Sequence, residues 1–186
     1  MLKDKDKNSP AVVLTVVCVM MTFLLAMTYG VTKDIIANNI RLEQETAMKA
    51  LLPDADSFVE VPVSEVKGAA KLFEVNKNSK IIGYVVMSEG KGYGGKFPVV
   101  VAFNLDQTLV GVRITGTRET PGFGKQVEEP AYLEQFKGMP AVQEFTYSKE
   151  SGKTHFDQVT RATITSKGLR NALNNALKVF QAIDKE

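Results

Sequence analysis

Thr160-Arg-Ala-Thr163-Ile-Thr165-Ser166-Lys-Gly-Leu169-Arg-Asn-Ala172-Leu173-Asn-Asn-Ala176-Leu177-Lys-Val-Phe180-Gln-Ala-Ile183 carries a cluster of hydroxyls followed by an unbroken helical pattern. Leu169, Ala172, Leu173, Ala176, Leu177, Phe180 and Ile183 recur at spacings of three and four, a continuous apolar stripe. Lys167, Arg170, Asn171, Asn174 and Lys178 take the other faces. Such a helix must bury its stripe against another element. Upstream, Phe58–Pro62, Leu72–Val75, Lys80–Met87, Phe97–Phe103 and Thr108–Thr115 read as strands from their β-branched and apolar runs. Asn104-Leu-Asp-Gln107 predicts a hairpin loop between the last two. Strands this close in sequence imply a largely antiparallel sheet, and helix on sheet gives an α+β domain.

The chain has 186 residues, enough for about one domain plus accessory segments. A net charge of +2, with no basic run carrying interleaved aromatics, argues against a nucleic-acid partner. Cys18 and His155 are the only cysteine and histidine. That excludes a Cys/His zinc site and a disulfide within the chain. Cys18 lies in an apolar run, where a thiol behaves as a small hydrophobe. A Ser-His-Asp triad would depend on His155, and no Gly-x-Ser-x-Gly elbow is present. No catalytic side-chain set emerges, so redox chemistry would need an added cofactor.

No charge occurs from Asn8 to Thr32, and Ala11 to Thr28 is almost wholly apolar. Roughly 20 such residues cross the hydrocarbon layer of a bilayer. Pro10 suits a first helical turn and Tyr29 an interfacial position. A cleaved signal peptide is the alternative. Its apolar core is usually about 7–15 residues and ends in an Ala-x-Ala-like site, which Ala26-Met-Thr28-Tyr29 matches poorly. A retained anchor at residues 10–30 is therefore expected. Lys3, Lys5 and Lys7 before it outnumber Lys33 and Arg41 after it. The positive-inside rule then keeps residues 1–9 cytoplasmic and puts the bulk of the chain outside. Val31 to Leu52 continues as a helix with Ile36, Ile40, Ala47 and Leu51 on one face, ended by Pro53-Asp-Ala-Asp-Ser57. Residues 31–57 are expected as a stalk, docking on a partner or on the chain's own domain, and residues 58–186 as that domain.

Three segments carry candidate binding chemistry. Thr163, Thr165 and Ser166 stand where a helix begins, and such residues commonly serve as N-caps. The same helix start, with its free N–H groups and dipole, also favours a phosphate, with Arg161 and Lys167 near to balance charge. Gly90-Lys-Gly-Tyr93-Gly94-Gly-Lys96 is either a backbone-approach loop or a plain turn, and it lacks nucleotide-loop spacing. In Glu119-Thr120-Pro121-Gly122-Phe123-Gly124, Pro-Gly predicts a tight turn that sets out Phe123 toward a planar ligand or merely reverses the chain.

In order along the chain, these segments resemble one known family. Asp157-Gln-Val-Thr160-Arg161-Ala162-Thr163-Ile-Thr165-Ser166 is similar to the Asp-x-x-(Ser/Thr)-Gly-Ala-Thr-x-Thr-Ser motif of proteins carrying FMN on a threonine. With Gly-Tyr-Gly-Gly, Glu-Thr-Pro-Gly-Phe-Gly and Tyr132-Leu-Glu-Gln-Phe-Lys-Gly138, residues 58–184 resemble the FMN-binding domain. That domain occurs in the G subunit of Rnf-type ion-translocating electron transport complexes and in the C subunit of the sodium-pumping NADH:quinone reductase. The single anchor and short length resemble the Rnf G subunit more closely.

The resemblance implies an electron-transfer subunit of an ion-translocating oxidoreductase complex in the cytoplasmic membrane. FMN would be linked by a phosphoester to Thr163, attached by a separate flavin transferase. Integral membrane, iron–sulfur and flavin subunits would be its partners. It also implies cofactor contacts from Thr160, Arg161, Ala162, Thr165, Ser166 and Lys167. Glu119, Thr120, Pro121, Gly122, Phe123, Gly124, Tyr93 and Gly94 would supply the rest. Two positions depart from the pattern: Phe123 replaces the commoner leucine, and Arg161 stands where glycine is usual. If that glycine has a positive φ, arginine there is strained. Two other classes fit less well. A pilin would have a glycine cleavage site before its apolar helix and a glutamate just inside, and this chain has neither. A stand-alone membrane-anchored flavin reductase would need its own acid or base, from His155, Glu119 or Tyr93.

Overall fold

A computed structural model describes residues 9–62, 70–149 and 152–183. Its contacts divide the chain into two units, Met1–Leu42 and Glu43–Glu186.

The first unit is the greater part of α1 (Ser9–Leu51). This is a helix long and apolar enough to cross a membrane, and none of its most apolar window is buried within the protein. Its threonines suit such surroundings. The hydroxyls of Thr15, Thr22, Thr28 and Thr32 donate to the carbonyls of Ala11, Cys18, Leu24 and Thr28 at 2.8–2.9 Å. Each polar group is thereby satisfied inside the helix, as hydrocarbon surroundings demand.

The second unit is built on a five-stranded antiparallel meander, β1 (Ser57–Val61), β2 (Lys71–Lys77), β3 (Lys80–Gly92), β4 (Gly95–Asn104) and β5 (Leu109–Ile114), in that spatial order. Both faces of its centre are covered, which is why β3 and β4 read as apolar runs rather than alternating ones. On one face Val86, Val99, Val101 and Phe103 pack with Leu169, Ala172, Leu173 and Phe180 of α3 (Thr163–Ile183). The Phe103 and Phe180 rings stack 4.4 Å apart and nearly parallel. Ser88 Oγ donates to Ala172 O at 2.9 Å, tying strand to helix. On the other face Val75, Val85, Met87, Val100 and Ala102 enclose Ala47 and Met48. The last turns of α1 therefore belong to the folded domain, with Leu51 and Leu52 half-buried there. Ile36 and Ile40, expected on the same face, are exposed.

Two turns set the strand lengths. Asn78 and Ser79 both have positive φ, 51° and 59°, between the paired Lys77 and Lys80. This is the backbone pattern of a two-residue hairpin turn. The glycine segment, expected as a backbone-approach loop or a plain turn, is a turn at Tyr93-Gly94 alone: Gly92 pairs with Gly95, so β3 and β4 run on to that tip and the remaining glycines are strand. Glycines in a strand mark close approach of other groups, and here α3 and Glu119 lie against them.

From β5 the chain passes through a 3-10 turn at Gly124–Glu128, α2 (Pro130–Leu133) and a second 3-10 turn at Glu134–Phe136. Phe145–Thr146 and Thr154–His155 form a short parallel pair, β6 and β7. Tyr132, Gln135 and Asp157 then lock the approach to α3. Tyr132 Oη donates to Asp157 O at 2.9 Å, and Asp157 N donates to Gln135 Oε1 at 2.7 Å. Burial holds the Tyr132 phenol well above its ordinary pKa, so it remains a donor throughout the neutral range.

Candidate functional site

Three segments distant in sequence meet at an open cleft of about 540 Å³. Cofactor sites commonly enclose roughly 300–1,000 Å³. One wall is the hairpin tip, with Tyr93 largely exposed. A second is the Thr120-Pro-Gly-Phe123 turn with Glu119 and Gly124. A third is the start of α3, Arg161 to Thr165.

The second wall forms as its sequence demands. Phe123 N donates to Thr120 O at 3.2 Å and Gly122 has φ of 76°, so Pro121 and Gly122 occupy the central positions of a tight turn. Gln126 Nε2 donates to Gly122 O at 3.2 Å and steadies it. Phe123 follows, nearly half exposed, on the cleft.

The third wall corrects the capping expectation. Thr163 is the first residue of α3, not its cap. Ser166 N makes the first helical bond, to Ala162 O at 2.9 Å. The amides of Thr163, Ile164 and Thr165 bond to no described residue. The hydroxyls expected to cap them are otherwise used. Ser166 Oγ, fully buried, accepts from Val159 N at 3.1 Å. Thr165 Oγ1 donates to Glu119 Oε2 at 2.9 Å. Thr163 remains exposed on the cleft with no described hydrogen-bond partner. Unpaired first-turn amides at the positive end of a 21-residue helix favour an anion beside that hydroxyl.

Glu119 ties the three walls together. It is 7% exposed. Its Oε1 accepts from Gly94 N at 2.8 Å and its Oε2 from Thr165.

Arg161 has φ of 64°, a left-handed backbone conformation disfavoured for residues with a Cβ. Its guanidinium is exposed and pairs with no described residue. The strain gives a direct prediction. Arg161→Gly should raise unfolding stability by about 1 kcal/mol, the left-handed penalty less the added flexibility of the unfolded chain. Chemical denaturation of the two proteins checks this.

Of the anticipated residues, the cleft gathers Tyr93, Glu119, Thr120, Phe123, Gly124, Arg161, Ala162, Thr163 and Thr165. Gly94 reaches it only through Glu119. Pro121, Gly122, Thr160, Ser166 and Lys167 do not line it. Ile164 was not anticipated. It is 56% exposed on the cleft, and its one sequence signal is an apolar residue out of phase with the α3 stripe. Among the described residues no group of acids, cysteines and histidine is placed to hold a metal.

The FMN-binding domain family matches residues 92–178, the span holding all three walls, and the RnfG N-terminal region matches residues 1–51. The chain is 32% identical over 181 residues to the G subunit of the proton-translocating ferredoxin:NAD(+) oxidoreductase complex of Clostridium ljungdahlii, covering 96% of this chain and 95% of that one. This chain belongs to the G-subunit family of ion-translocating oxidoreductase complexes. Similarity extends to the G subunit of the Na(+)-translocating complex of Acetobacterium woodii, 28% over 189 residues and 93% and 91% of the two chains. For the G subunit of Methanosarcina acetivorans it is 29% over 188 residues and 98% of each chain. Among solved structures, the C subunit of the Na(+)-translocating NADH-quinone reductase of Parabacteroides distasonis shares the fold. Its TM-score is 0.56 at 21% identity, over 68% of this chain and 76% of that one. NqrC of Shewanella oneidensis gives 0.51 at 24%, over 72% and 71%. At those identities the quinone reductase protein is a neighbour in fold alone.

Proposed function

We propose that this G-subunit chain carries FMN covalently on Thr163 and relays electrons between redox centres of neighbouring subunits in a membrane-bound, ion-translocating ferredoxin:NAD(+) oxidoreductase. The observation that carries the reading is the position of Thr163: an exposed hydroxyl on the cleft, beside three unpaired helix-start amides. The donor set suits a flavin phosphate. Those amides and the Arg161 guanidinium would hold its oxygens, while Phe123, Tyr93 and Ile164 offer apolar surface to a planar ring. FMN supplies the one-electron chemistry that no side chain here provides. Attachment forms a bond from Thr163 Oγ1 to the flavin phosphorus as the phosphoanhydride bond of an activated flavin donor breaks and its other half leaves, the hydroxyl proton going to solvent. A separate flavin transferase does this work, and the chain gains the mass of FMN less water. Anchoring is assigned to α1. The lysines at positions 3, 5 and 7 favour a cytoplasmic N-terminus, with the cleft on the extracytoplasmic side.

Denaturing electrophoresis under ultraviolet light tests the reading. After co-expression with a flavin transferase, the band of this chain should fluoresce and its mass should rise by one FMN less water. A dark band, with the transferase shown active on another substrate, would refute covalent attachment.

A further inference from the structure

We infer that the negative charge of Glu119, and not only its hydrogen bonds, acts on the cofactor, holding the bound flavin at a more reducing potential. The inference rests on the FMN reading above. Glu119 is buried on the cleft, and among the described residues no cation pairs with it. Burying a carboxylate without a counter-ion carries a desolvation cost. The surroundings are nevertheless built around it. A Cβ at Gly92 would overlap Glu119 Oε1, and one at Gly124 would overlap Oε2. Two glycines from different walls thus leave room for this one side chain.

Stapling alone does not require the charge. A glutamine has the same shape. Its carbonyl would accept from Gly94 N, and its amide would donate to Thr165 Oγ1, since a hydroxyl accepts as readily as it donates. The neutral amide would avoid the cost of burying an ion. What only the carboxylate adds is a fixed negative charge at low local dielectric on the cofactor cleft. An electron arriving on a flavin there meets that charge, and the reduced form is disfavoured.

The test compares Glu119→Gln with wild type as the full-length, flavin-loaded chain in detergent, by potentiometric titration of the flavin spectrum. Expected is a shift to more positive potential, at least tenfold in the reduction equilibrium, which is about 59 mV for a one-electron couple. Unloaded Glu119→Gln should unfold at or above the wild-type temperature. A loaded wild type whose midpoint Glu119→Gln leaves unchanged overturns this inference alone. So does a Glu119→Gln chain that melts lower or does not fold, because the charge is then structural. A wild type that takes up no flavin overturns the cofactor reading, and this inference with it.

Discussion

Thr163→Ala will emerge from co-expression with an active flavin transferase without attached flavin, while its fold is unchanged. The proposed acceptor oxygen is removed outright, so the expected loss is complete rather than graded. Stability should stay within about 0.5 kcal/mol, because the Thr163 side chain is exposed and bonds to no described residue. Mass spectrometry reads the first outcome and thermal unfolding the second. Thr163→Ser should retain loading, since it restores a hydroxyl at the same helix position. Neither Thr165→Ser nor Ser166→Ala should remove the attachment, because both hydroxyls face inward to structural partners. Attached flavin on Thr163→Ala would place the linkage on another residue.

Gly168→Val will destabilise the domain by about 3 kcal/mol or more. A Cβ at Gly168 would overlap the backbone of Lys91 in β3, meeting its carbonyl oxygen, its carbonyl carbon and its nitrogen. Backbone cannot swing aside as a side chain can, so the helix must move. Overpacking typically costs about 1–3 kcal/mol even where side chains give way, and a branched side chain adds to that. The displacement would be felt at the cleft, because Thr163 and Thr165 lie within about one and a half turns on the same helix. Gly168→Ala should be milder, its clash partly offset by helix propensity worth about 1 kcal/mol. Denaturant unfolding of the three proteins ranks them. Equal stabilities would show that β3 and α3 are not held together at this point.

The stripe from Leu169 to Ile183 announces both the helix and its burial, because period and packing are one signal in an amphipathic element. The Pro-Gly turn is legible for a similar reason: Pro121 and Gly122 have few other uses side by side. What sequence alone misplaces turns on competition among partners. Thr165 and Ser166 have the chemistry of caps, but Glu119 and Val159 claim their hydroxyls, and such claims leave no periodic trace in the chain. The glycines at positions 90 to 95 read as a loop because their strand character comes from what packs against them rather than from their own propensity. Arg161 is visible as an oddity in the motif, and its positive φ shows the strain that glycine would have avoided. Ala47 and Met48 pack on the sheet, although the helix pattern alone leaves an outside partner equally open.

The meander pairs every strand with its neighbour in the chain. Such a sheet needs no distant segment to begin forming. The cleft differs: its walls come from positions 93, 119–124 and 161–165, and the last of these rests on the C-terminal helix. A chain made from its N-terminus can therefore assemble its sheet before α3 is made, but it cannot display Thr163 in place until α3 has packed on that sheet. On the proposed reading, flavin attached at Thr163 would mark only copies in which the three walls have come together.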